Sequence, residues 1–402
     1  MMLTLAKTLI LVIWFSTTLS IVHPLLYYAF LFLSMLIIMV YFANLRLEVF
    51  SDYFTFTTVS LFTCYVLILT IAAGLLSVND KIIPVIGSLN ILLFLLVYFI
   101  LFNKIKSKRD YIFESLVKYM LILGVIIALG AVVQHFFSPS LWGLIEHHIY
   151  THEIVNININ KRAVSFISSP QSLGLFLSIM TILTLINKVK FSLQWIFLLS
   201  LFIFAGYLTE TKIYVMTVSL YMALVLTYKY KVLGIVVVII LLGASILIDF
   251  PNTQRAFQYL TIITSLEDYA TFIIWKNFVL FDSTLLQILF GHGVGALSRG
   301  SQSIGGYSIL NGSTESFIIQ LYFELGVIGL VLYLTLYIRS VLNFSKSYKY
   351  KEYAILLLTM FFPMLFVPSF YGFTSSIILN MFLVFGLFLR SNIKTFNSNL
   401  HS

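Results

Sequence analysis

Apolar runs close to the length of a bilayer follow one another along this chain, and few charges interrupt them. A helix that crosses the hydrocarbon core needs about 20 predominantly apolar residues. Such runs are predicted at 3–22, 25–43, 54–77, 82–103, 117–137, 166–187, 191–208, 213–228, 232–249, 316–338, 353–369 and 373–389. The expectation is an all-α, polytopic integral membrane protein of about twelve spans, with 1–402 forming a single transmembrane domain. Composition agrees: 60% of residues are hydrophobic and only 10% charged, against about 25% charged in soluble domains.

Charge sets the orientation. With the N-terminus in the cytoplasm and the connections alternating, 17 of the 24 Lys and Arg residues fall inside. The exceptions are Lys81, Lys161, Arg162, Lys212, Arg255, Lys276 and Arg299. This positive-inside bias puts both termini in the cytoplasm. The net charge of +9 therefore reflects membrane sidedness, and no nucleic-acid partner is expected. The basic run from Lys104 to Lys118 reads as a stop-transfer and headgroup contact. The first span, apolar from Leu9 to Val22, reaches the upper length of a signal peptide, but no small-x-small cleavage site follows, so it reads as retained. The single cysteine, Cys64, excludes an internal disulfide and a cysteine metal cluster.

Two outer loops stand out by length. The first, 137–165, contains His147, His148 and His152, but no histidine pair has the helical spacing and carboxylate base of a zinc protease motif. It reads as a solvated interfacial loop. The second, 250–315, precedes the tenth span, and membrane proteins keep loops of this length for a purpose. Within it, Tyr269 to Leu289 carries apolar residues at helical spacing and reads as an interfacial amphipathic helix. That predicts a lid on the outer leaflet.

The polar and glycine-rich stretch after Phe290 joins this loop to the tenth span. Asn311-Gly312-Ser313-Thr314-Glu315 reads as a turn with helix N-cap chemistry, with Glu315 in the first turn, where the helix dipole favours a carboxylate. Ser316, Gln320 and Glu324 then recur every four residues and form one polar stripe. Glu324 lies roughly 13 Å along the axis from Glu315. A carboxylate at that depth faces protein or water rather than lipid. Glu324 reads as structural, positioning the helix through a buried hydrogen bond, and Gly326 and Gly329 as small-residue packing sites.

Several stretches together resemble the O-antigen polymerase and O-antigen ligase superfamily. They are Gly291-His292-Gly293-Val294-Gly295, then Glu315-Ser316-Phe317-Ile318-Ile319-Gln320-Leu321, then Glu324-Leu325-Gly326-Val327-Ile328-Gly329. Arg162 before Ser168-Ser169-Pro170-Gln171-Ser172-Leu173-Gly174 is similar to the family's outer-loop arginine ahead of a helix with Pro and Gly at its mouth. Thr209-Glu210-Thr211-Lys212 is similar to its short outer hairpin bearing a basic residue. The position of Glu315 is typically a histidine in the ligases, and glutamate fits a polymerase better.

The resemblance implies an enzyme of the bacterial inner membrane. It would polymerise lipid-linked repeat units into a surface polysaccharide such as O-antigen, capsule or exopolysaccharide. The chain on undecaprenyl diphosphate would pass to a hydroxyl of a new lipid-linked unit. Such a reaction needs an outer basic site for the diphosphate, a base for the acceptor hydroxyl, a groove for the polyprenyl tail and a lid against water. Arg162, Lys212, Arg255 and Lys276 are candidates for the first, and Glu315 for the second. His292, whose flanking glycines let the backbone approach a ligand, and Arg299 are substrate-proximal candidates. Each has a plainer reading: a headgroup anchor for Arg162, a salt bridge to Glu210 for Lys212, a helix-start carboxylate for Glu315. Diphosphate is already a good leaving group, so neither metal nor cofactor is expected. Partners would be the lipid-linked oligosaccharide, membrane lipid, a chain-length regulator and a flippase. The rival functions are an O-antigen ligase to lipid A-core and a lipid-linked oligosaccharide flippase, which would need charges along a central cavity.

Overall fold

A computed structural model describes residues 53–76, 82–104, 108–137, 163, 165, 167, 170–187, 192–231, 236, 283–296, 316–366 and 373–389. The described residues are helical with connecting turns and contain no strand. In order the helices are α1 Tyr53–Leu76, α2 Ile82–Lys104, α3 Arg109–Phe137, α4 Pro170–Ile186, α5 Leu193–Leu208, α6 Lys212–Tyr230, α7 Leu285–Phe290, α8 Phe317–Lys346, α9 Lys351–Phe366 and α10 Phe373–Phe388. The spans expected at 3–22 and 25–43, nearly all of 232–249, and most of the 137–165 and 250–315 loops lie outside the described residues. The interfacial helix expected from Tyr269 to Leu289 does not run unbroken to its end: Thr284 has extended backbone and caps a separate short helix, α7, while 269–282 lie outside the described residues.

Among the described residues, four helices are long and apolar enough to cross a membrane: Thr55–Leu75, Arg109–Phe136, Ile213–Tyr230 and Phe317–Lys346. Their chemistry suits an apolar solvent. Along α1, Leu61, Ile68, Ile71 and Leu75 are exposed, and along α5 so are Ile196, Phe197 and Phe204. Several hydroxyls that water cannot reach are satisfied within their own helix. Thr70, Thr181, Thr184, Thr217 and Thr359 each donate to the carbonyl four residues back, at 2.6–2.8 Å.

Two helices outrun their hydropathy. Where the apolar run begins at 117, α3 begins at Arg109. Arg109 is buried, its Nε donating to Phe102 O at 2.6 Å, and Asp110 sits in the first turn, where the helix dipole favours it. Where the tenth apolar run ends at 338, α8 continues to Lys346. Asn343 there is buried and donates to Gly386 O at 3.0 Å, so a polar residue that looks like a helix exit is an internal contact.

The chain forms two compact units. One comprises 1–50, 97–219 and 372–380, with α3, α4 and α5 packed on one another. Here α4 is central: from Leu173 to Thr184 every residue is buried, so the helix is apolar all round rather than on one stripe. The other unit comprises 51–96, 220–371 and 381–402 and is built on α8, which packs against α1, α7 and α9. Phe344 of α8 joins Tyr350, Tyr353, Phe382 and Phe385 in an aromatic cluster with centroids 5.2–6.0 Å apart.

Candidate functional site

The longest helix is broken. At Gly326 the backbone of α8 turns to φ 68°, ψ −174°, a region that residues with a side chain essentially do not occupy. Residues 317–325 precede the break and 327–346 follow it. A break leaves the last carbonyls before it without intrahelical donors, and in this unit other segments supply them. Phe323 O accepts the His292 backbone N–H at 2.8 Å. Leu325 O accepts the Tyr65 hydroxyl of α1 at 2.6 Å.

The segment 291–296 docks into this break. It leaves α7, whose Thr284 and Gln287 form a reciprocal capping box, and turns at Gly291 with φ 83°. Gly291 lies against the backbone of Glu324 and Gly326, while Gly326 lies against Leu289 O and Gly291 N. The two glycines thus fill each other's missing Cβ space, and neither chain could approach so closely with a side chain. Glu324, fully buried, joins the segments: one carboxyl oxygen accepts the Gly295 N–H at 3.1 Å and the other accepts Gln320 Nε2 at 3.2 Å. Gly295 also abuts Gly87 of α2, and Gly293 faces Ala73 of α1. Gly329 leaves room for the Tyr65 ring. In the stretch Glu324-Leu325-Gly326-Val327-Ile328-Gly329, the carboxyl holds the loop, the first glycine makes the break and the second admits the tyrosine.

His292 rides on this junction. Its ring stacks on Phe323 with centroids 4.0 Å apart and planes within 6°. Nδ1 faces Phe323 O at 3.3 Å, and Nε2 faces Ser283 Oγ at 3.1 Å. Partial burial lowers the pKa of the imidazole below its ordinary 6.5, opposed in part by the hydrogen bond to the Phe323 carbonyl.

The other unit gathers its own polar stretches. Ala163, which follows Arg162, donates its N–H to Leu208 O at 3.0 Å. Ser165, at φ 51°, donates its N–H to Gln134 Oε1 and its Oγ to Ile127 O, each at 2.6 Å. The turn from α5 into α6 is tied by Thr209 Oγ1, 2.8 Å from Thr211 Oγ1, and bends at Glu210 with φ 49°. Thr211 Oγ1 occupies the space that a Cβ on Gly174 of α4 would need. Tyr214 lies over Gly206 and its hydroxyl is 3.1 Å from Thr181 Oγ1 of α4. The segment after Arg162, the mouth of α4 and the turn before Lys212 therefore meet at one end of this unit.

No protein-family model matches the chain, and no curated protein matches it in sequence. The candidate residues divide as follows. His292, Glu324, Gly326 and Gly329 come together in the α7–α8 junction. Arg162, Arg255, Lys276, Arg299 and Glu315 lie outside the described residues, as does the side chain of Lys212, whose backbone opens α6. The cap of α8 is Ser316, accepting the Ile319 N–H at 3.3 Å, so the first helical turn begins beyond Glu315 rather than including it. Sequence reasoning missed Ser283, Phe323 and Tyr65 at the junction and Gln134 in the other unit, while Thr209 and Thr211 lie in the hairpin it had marked. The glycine spacings around 174, 291 and 326 were the available signal for the close approaches. Nothing local marks Tyr65 or Gln134, whose partners are far away in sequence.

Proposed function

We propose that this is a polysaccharide polymerase of the bacterial inner membrane, with about twelve spans and cytoplasmic termini. It would transfer a growing chain from undecaprenyl diphosphate to a hydroxyl of a second lipid-linked unit. The observation that carries the reading is the docking of Gly291–Gly295 into the break of α8 through buried Glu324. These are the stretches whose order and spacing resemble the O-antigen polymerase and ligase superfamily, and their glycines and carboxyl have a joint physical task. Non-helical backbone within a membrane protein is tolerated where protein or a water-filled cavity receives it, and broken helices commonly frame binding sites.

In this reading Arg162, Lys212, Arg255 and Lys276 hold the diphosphate, with arginine suited to bidentate contact. Glu315 takes the proton of the acceptor hydroxyl just ahead of α8. The oxygen then bonds to the anomeric carbon, and the diphosphate leaves with the electron pair.

The test is Glu315→Gln in a strain whose surface polysaccharide depends on this protein. Loss of a general base costs about 10²–10⁴ in rate. The expected outcome is single repeat units on surface lipid, with no long chains and normal protein level. Glu315→His is expected to restore part of the activity. Normal long chains from both variants would remove Glu315 from catalysis. Absence of even single units at the surface, with protein intact, would point to a flippase instead.

A further inference from the structure

His292 is held in one tautomer and one direction. A carbonyl oxygen only accepts, so the contact of Nδ1 with Phe323 O places the proton on Nδ1. In the neutral ring Nε2 then carries a lone pair, and the hydroxyl facing it, that of Ser283, is the donor. Stacking on Phe323 fixes the ring plane. The carbonyl that orients the ring is one that the break at Gly326 releases from the helix. The imidazole and Ser283 are each only partly buried. A fixed lone pair, presented at an accessible position and occupied by a serine hydroxyl, is a site for another hydroxyl.

We propose that His292 Nε2 binds a hydroxyl of the acceptor sugar, which displaces the Ser283 hydroxyl. The assignment rests on the polymerase reading and adds an acceptor-side contact to it. Bond making and breaking remain as above. His292 orients the acceptor through a hydrogen bond and takes no proton. The task requires the neutral ring, since an imidazolium has no lone pair to offer.

The experiment uses the full-length protein in vesicles with the lipid-linked unit that accumulates in cells lacking it. His292→Asn keeps a donor where Nδ1 stands, so the loop stays anchored, but removes the Nε2 acceptor. A lost neutral hydrogen bond corresponds to about a three- to tenfold rise in KM, with kcat little changed. Ser283→Ala is expected to lower KM, because the lone pair no longer has to be vacated. Unchanged KM in both variants overturns the proposal, leaving His292 as a loop anchor. A fall in kcat of about 10² or more with KM unchanged also overturns it, in favour of a proton acceptor. A second readout does not depend on turnover. Diethyl pyrocarbonate should label His292, and the lipid-linked unit should protect it. If wild type is protected but makes no polymer, the polymerase reading fails and the hydroxyl site stands. If wild type polymerises and the unit gives no protection, the hydroxyl site fails alone.

Discussion

Glu324 shows what one buried carboxyl does here. Both oxygens accept hydrogen bonds, from a loop N–H on one side and from the preceding turn of its own helix on the other. Removing an acceptor from a buried donor costs about 1–3 kcal/mol, and Glu324→Ala does this to both Gly295 N–H and Gln320 while leaving a cavity. Glu324→Gln is milder. Its amide oxygen can keep the Gly295 N–H, and Gln320 can turn its own amide oxygen to meet the new NH2 group. Hydrogen exchange measured on 291–296 should therefore rise in the alanine variant and stay near wild type in the glutamine variant. Equal deprotection in both would mean that charge, rather than hydrogen bonding, holds the loop.

At the scale of an element, α8 is two helical segments that a single glycine divides. A Cβ at Gly326 meets Leu289 O and Gly291 N, which are backbone atoms that cannot swing away. Its backbone region alone costs a non-glycine residue about 1–3 kcal/mol. Gly326→Ala is thus expected to lower the thermal midpoint in detergent and, under the proposed function, to abolish polymer. Gly74 of α1 is the matched control. A Cβ there meets nothing within 4 Å, and replacing a helical glycine by alanine gains up to about 1 kcal/mol in a helix interior and less in this last turn. Gly74→Ala should leave the midpoint unchanged or raised. Equal midpoints for the two variants would show that α8 tolerates an unbroken course at 326. The element before the junction has its own local logic: the capping box of α7 was written in Thr284 and Gln287, whereas its length was masked by the apolar residues upstream.

At the scale of the whole molecule, the proposed sidedness is open to a direct test. Lys229 at the end of α6 pairs with Glu352 at the start of α9 at 3.4 Å, and Lys351 lies 4.7 Å from the Tyr228 ring. Two basic connections, far apart in sequence, thus meet at one end of their unit. In the proposed topology both face the cytoplasm. A reporter active only in the cytoplasm should work when fused after Lys108, Lys190, Lys231 or Lys349, and should be silent within 250–314. Cytoplasmic signal from that long segment would remove the outer-face placement of Arg255, Lys276 and Arg299. Activity after Lys231 but not after Lys349 would contradict the shared end.

The positions of α1, α2, α4, α5, α6, α9 and α10 were legible in the sequence to within a few residues at their ends. The reason is local: a run of apolar side chains decides the helix, and the residues that end it are neighbours. Helix ends were less legible where a polar residue is buried by a distant partner, as with Arg109 and Asn343. The glycines and Glu324 of the candidate site could be picked out, because glycine spacing and a carboxyl in an apolar run are visible in one dimension. What they do was decided only by tertiary structure. At the break, Gly326 and Gly291 lie backbone to backbone, a contact no local pattern shows. The tautomer of His292 exists because Phe323 O is left to it by that break. The fit of Thr211 beside Gly174 joins helices that hydropathy treats as independent. Hydropathy sums the preference of each residue for lipid, whereas these contacts depend on which distant backbone arrives at the same place.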